Sequence, residues 1–143
     1  QIVLEEALTL SQATHTQEIS CIALTNLSIV LCETGDLSHA KSTLRNALDL
    51  AQEWSAFELQ MAVVEALLYY LSKTSQSTKL IEYSVFLLQH RRASKQMRVT
   101  ARRCIQQVAP MMSDTMLAEA EQRGQSLTHD IIMNEAAELL ANT

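Results

Sequence analysis

The sequence predicts an all-α solenoid of antiparallel helix hairpins ending in a capping helix. Three observations carry that expectation. Turn-formers and aromatics are scarce, helices apolar all round alternate with amphipathic ones, and the chain resembles itself at a spacing of 40 residues. Among 143 residues there are two glycines and one proline, and aromatics make up 4% against 48% apolar residues. A chain so composed, and rich in Ala, Leu, Gln and Glu, favours helix nearly throughout. Its length suffices for one domain that buries a core without disulfides or a metal.

The clearest amphipathic helix runs from about Leu37 to Gln52. Leu37, Ala40, Leu44, Ala47, Leu48 and Ala51 fall at three- and four-residue steps, while Lys41, Arg45 and Asp49 point elsewhere. Just before it, Gly35 suits a helix C-terminus and Asp36 suits the next N-cap, so two helices meet in a tight turn. The preceding helix, about Gln17 to Glu33, spreads Ile19, Ile22, Ala23, Leu24, Leu27, Ile29, Val30 and Leu31 around most of its circumference. A helix apolar on nearly all sides lies between neighbours.

Shifting the chain by 40 residues lays Ala7 to Gln12 over Ala47 to Gln52, and Leu27, Leu31 and Leu48 over Leu67, Leu71 and Leu88. Residues 1–12 then read as the end of a truncated repeat, 17–53 as one hairpin, and 56–91 as a second (Phe57 to Lys73, then Ser77 to Arg91). A divergent third hairpin covers 93–124. Its first helix carries Met97, Ala101, Cys104, Ile105 and Val108 and stops at Pro110; its second is capped by Ser113 and closed by Gly124. Residues 126–142 form the capping helix, with Thr128 as N-cap and Asp130 in the dipole-favoured first turn. Ile132, Ala136, Leu139 and Leu140 are expected to lie on the third hairpin. The apolar side of residues 1–12 (Ile2, Val3, Ala7, Leu10) is expected to lie open where the array is cut, offering a route to self-association.

The hairpin from Cys21 to Gln52 resembles a tetratricopeptide repeat: Ala23, Asn26-Leu27, Gly35-Asp36-Leu37, Ala40, Leu44 and Ala47-Leu48 keep that family's order and spacing. Ser28 stands where the pattern prefers Gly, and Gln52 where it prefers Pro. The longer period is similar to the repeats of maltose-activator-type transcriptional regulators. Ala118-Glu119-Ala120, Gly124, Ser126-Leu127-Thr128, Ala136 and Leu140 resemble the end of large bacterial regulators of that kind. The resemblance implies a sensor or docking end of a cytoplasmic signalling protein, with DNA-binding and nucleotide-binding parts elsewhere in the parent chain.

A net charge of −5 and a pI near 5.3 argue against direct nucleic-acid binding, which needs a basic surface to release phosphate counterions. No segment reaches the ~20 apolar residues of a membrane span. Cys21 and Cys32, on one expected helix, lie about 16 Å apart and cannot bridge. They read as small buried hydrophobes of a reducing compartment. His15, His39, His90 and His129 each fall near a helix end, without a nucleophile and orienting group around them. No glycine-rich phosphate loop and no Cys/His zinc spacing occur. The expectation is therefore a non-catalytic chain without cofactor or metal.

Two features are candidates for binding. In the tetratricopeptide arrangement the first helix of each hairpin lines the concave surface. By register this places Thr25, Ile29, Cys32, Glu65, Tyr69, Arg102 and Gln106 on a partner groove, or on an ordinary solvated channel. Second, six of the eleven Lys and Arg residues fall within thirteen positions, and Arg91, Lys95, Arg98 and Arg102 form a basic stripe if the helix begins early enough. That stripe suits an acidic peptide, a phosphate group or an acidic domain of the same chain, or else a solvated helix face. The expected function is protein–protein interaction or regulation, with a purely structural oligomerisation role as the alternative.

Overall fold

The computed structural model describes residues 2–13, 17–54 and 56–141. Eight α-helices pack together, with no strand among the described residues. They are α1 (Ile2–Ala13), α2 (Gln17–Thr34), α3 (Leu37–Glu53), α4 (Phe57–Lys73), α5 (Ser77–Gln89), α6 (Lys95–Val108), α7 (Asp114–Ser126) and α8 (His129–Ala141). A short 3-10 turn, Ala109–Met111, takes up Pro110 between α6 and α7. No described helix is long and apolar enough to cross a membrane.

The 40-residue register is visible in the backbone. Gly35 ends α2 with φ +89°, its N–H bonding to the Cys32 carbonyl and that of Asp36 to the Leu31 carbonyl. Asp36 then caps α3 by accepting from the His39 N–H at 3.2 Å. Forty positions on, Ser75 takes the same left-handed conformation (φ 60°), and the Gln76 N–H bonds to the Leu71 carbonyl as α5 begins. In both turns the N–H of the residue after the left-handed one closes on the carbonyl five residues back, near the end of the helix. α2 packs on α3, α4 on α5, α2 on α4 and α3 on α4, with α1 against α2. Leu27, Leu31, Leu48, Leu67 and Leu71 are all at most 3% exposed, and each buried leucine stabilises by roughly 1.5–3 kcal/mol.

Beyond α4 the architecture departs from the expected repeat. Every residue from Leu80 to Leu87 in α5 is buried, because α4, α6 and α7 all pack on it. The third hairpin does not form as such: α6 and α7 both lie on α5 and make no substantial contact with each other. Gly124 does not close α7, which runs on to Ser126. It is a contact residue within the helix, where an added β-carbon would stand 2.7 Å from both the Glu82 carbonyl oxygen and the Val85 Cβ. Bare backbone lets α7 press onto α5.

α8 buries the expected face, with Ile132, Ala136 and Leu140 enclosed and Asp130, Asn134 and Glu138 exposed. It lays that face on α3, however, and not on a third hairpin. Glu135 of α8 anchors to α5 by accepting from Lys79 Nζ at 2.7 Å and from the Tyr83 hydroxyl at 3.1 Å. At the other end, Val3 is 75% exposed while Leu4 and Leu8 pack against the core. The side chains of Ile2, Ala7 and Leu10, and His15 altogether, lie outside the described residues.

Candidate interaction face

α2, α4 and α6 lie in sequence, α2 on α4 and α4 on α6. Each of these helices leaves part of its length accessible. Ile19 of α2 is 51% exposed and Val99 of α6 is 44% exposed, while Leu59 of α4, midway between them in register, is half-buried. Ile22 is 42% exposed, Ala62 half-buried and Arg102 exposed. Ile29 and Tyr69 are both half-buried. Glu18, Trp54, Ala56, Glu58 and Leu59 line a shallow cavity, and the Trp54 ring N–H donates to Gln17. Of the eight large hydrophobics exposed among the described residues, Ile19, Ile22 and Val99 lie on α2 and α6, and Trp54 lines the cavity with Glu18 and Leu59.

The expected groove is thus partly corrected. Thr25 and Cys32 are buried, and the Thr25 hydroxyl donates to the Cys21 carbonyl at 2.8 Å. Ile22, and not Thr25, faces outward; three residues carry a helix about 60° short of a full turn. Because α2 is apolar all round, its sequence did not distinguish the outward stripe. Ile29 remains at the edge of the face, and Arg102 and Gln106 are exposed on α6.

Glu65 and Tyr69 do not stand free in a channel: they fasten α4 to α6. Gln96 donates to the Thr100 hydroxyl at 3.4 Å, which donates to the Glu65 carboxylate at 2.8 Å. Arg103 donates to the Tyr69 hydroxyl at 3.2 Å and stands 5.7 Å from its ring centroid. A lone carboxylate among apolar neighbours needs such a partner.

The basic stripe is also rearranged. Ser94 caps α6, its hydroxyl accepting from the Met97 N–H at 3.1 Å, so the helix starts too late to include Arg91. Arg98 is half-buried and donates to the His90 carbonyl at 2.8 Å. Lys95 and Arg102 remain exposed, with Val99 between them on one helical stripe, and neither has an acidic partner among the described residues.

Two ionisable clusters escaped the sequence reading. Phe57 stands between two imidazoles, its ring centroid 5.1 Å from that of His90 and 4.7 Å from that of His129. The Arg92 guanidinium lies 4.0 Å over the same ring and pairs with Glu58. Burial, reinforced by Arg92 and Arg91, lowers the His90 pKa. Burial also lowers that of His129, aided by His90 and Arg92 and opposed by Asp130. The second cluster surrounds Glu82, whose side chain is fully buried, with Arg123 Nη1 at 3.3 Å and Lys79 Nζ at 3.7 Å. Burial pushes the Tyr83 phenol upward, and neighbouring Glu135 adds to it.

Cys21, Cys32 and Cys104 are free and buried; burial raises all three thiols, Cys32 to about 11, away from the thiolate that reacts. No group of three or more His, Cys, Asp or Glu is placed to hold a metal among the described residues. Comparison with protein-family models, with curated proteins and with solved structures finds no match for this chain.

Proposed function

We propose that this chain is a non-catalytic protein-interaction module of tetratricopeptide type, and that the α2–α4–α6 face receives the partner. One observation carries the reading: α2, α4 and α6, each packed on the next, leave Ile19, Leu59 and Val99 accessible, the first and last about half exposed. Apolar side chains left accessible on three adjacent helices form a surface that water solvates poorly and a partner can cover. The partner is another protein or another part of the same polypeptide. In that role the module serves as the docking or sensing part of a larger cytoplasmic regulatory or signalling protein, as its resemblance to the repeats of maltose-activator-type regulators implies.

A photo-cross-linking residue placed at Ile22, at Val99 and, as control, at exposed Met111 tests this reading in the parent protein. Adducts at Ile22 and Val99 but not at Met111 are expected. Adducts at Met111 alone would move the interface to another side of the molecule. A concentration-dependent dimer that Ile22→Asp abolishes would assign the face to a second copy, making this an oligomerisation module.

A further inference from the structure

Taking the α2–α4–α6 face as an interaction surface, we propose that its occupant is an amphipathic helix of another protein, apolar on one side and acidic along the flank that meets α6. A helical ligand presents anchors at three- and four-residue steps to an apolar groove. Ile19 and Ile22 on α2, Leu59 on α4 and Val99 on α6 supply the apolar counterpart.

The charge argument is independent. In a chain of net charge −5, no carboxylate occurs between Glu82 and Asp114, while Arg91, Arg92, Lys95, Arg98, Arg102 and Arg103 all fall there. Three of these are engaged internally: Arg92 by Glu58, Arg98 by the His90 carbonyl and Arg103 by Tyr69. Lys95 and Arg102 have no such partner among the described residues and flank Val99, four residues before it and three after. Their placement is unfavourable for the isolated molecule. Lys95 opens α6, where the helix dipole repels a cation, and Arg98 and Arg102, like Lys95 and Arg98, are close like charges along the helix. Carboxylates on a bound helix relieve both effects. A nucleic acid would leave the isoleucines uncovered and would meet Glu18 and Glu33, both exposed on α2.

A display selection on the intact chain, using a library of helical peptides randomised on all faces, tests the proposal. Enriched sequences should carry an apolar i, i+3, i+4, i+7 stripe with Asp or Glu beside it. Synthetic versions should bind more weakly as salt rises. Lys95→Glu combined with Arg102→Glu, both at exposed positions, should weaken a selected acidic peptide by about tenfold, since two exposed charge pairs turn repulsive. Ile22→Asp with Val99→Asp should abolish binding. Enrichment of basic or uncharged peptides that need Ile22 and Val99 would overturn the acidic-helix claim and leave the interaction face standing. Peptides indifferent to both double variants would sink both. Binding to anionic lipid vesicles in place of acidic peptides would equally overturn the proposal.

Discussion

Gly124 of α7 rests against the backbone of α5 at Glu82, so close that a β-carbon would stand 2.7 Å from the Glu82 carbonyl oxygen. The next contact, Val85, is at the same distance. Neither obstacle is the free end of a flexible side chain. In an open helix Gly→Ala would gain up to about 1 kcal/mol of propensity. Here overpacking wins, and Gly124→Ala should cost about 1–3 kcal/mol. Urea denaturation of the variant checks this; a variant as stable as the parent would mean α7 can slide on α5 without loss.

Gly35 and Ser75 make a second test, because they share a left-handed backbone with different side chains. A β-carbon at Gly35 would meet nothing within 4 Å, so any cost there is conformational. Gly35→Ala should destabilise by about 1 kcal/mol. Ser75→Gly relieves the same strain, less the added freedom of the unfolded chain, and should be neutral to stabilising by about 1 kcal/mol. Thermal melts of the two variants should therefore move in opposite directions, or the second should stay put.

The same pair shows how far the sequence could be read. Gly35-Asp36 announced its turn chemically, and the shift of 40 residues carried that turn to Ser75-Gln76 without any glycine to mark it. Local signals and register thus located α2 to α5. They failed where packing choices were not local. Gly124 read as a stop because a glycine near a helix end usually is one; only the approach of α5 makes it a contact. α8 packs on α3, while α6 and α7 each pack on α5 and not substantially on each other, and no pattern within any one of these helices encodes that choice. Arg102 and Gln106 are exposed on α6, but α2 offered apolar residues on every side and so concealed which stripe faces water.

Glu82 was legible only as a polar interruption of α5, yet it is fully buried with Arg123 and Lys79 beside it. Removing one cation leaves a buried charge short of compensation. Arg123→Met should cost about 2–4 kcal/mol, far above the worth of a surface pair. Adding Glu82→Gln to Arg123→Met should recover much of that loss, so the two changes should be strongly non-additive. Additive losses in a double-mutant cycle would mean that Arg123, itself 59% exposed, contributes only packing.

The cluster around Phe57 sets the response to acid. His90 Nδ1 accepts the Arg92 N–H at 3.2 Å, and His129 Nε2 meets the Gln60 side-chain oxygen while its Nδ1 is buried without a partner. A second proton on either ring would therefore break a hydrogen bond or sit unpaired beside Arg92. Both imidazoles have lowered pKa values, so the folded chain binds fewer protons than the unfolded one. Unfolding then takes up protons, and stability must rise with pH through this range. Their contribution is whole above about pH 6.5 and is lost as pH falls through the unfolded value towards the folded ones. Glu135 acts in the same direction at lower pH. Burial would raise its pKa, but Lys79, Tyr83 and Arg123 together lower it, so its stabilisation is present above the ordinary carboxyl range and lost below it. Urea midpoints measured from pH 7.5 down to pH 5 should fall, with roughly up to two protons taken up on unfolding. His90→Asn with His129→Asn should flatten that slope and leave the decline below about pH 4.5, where glutamate titrates, in place. A slope unchanged by the double variant would mean that acid acts elsewhere, and that α8 is not held through its histidine.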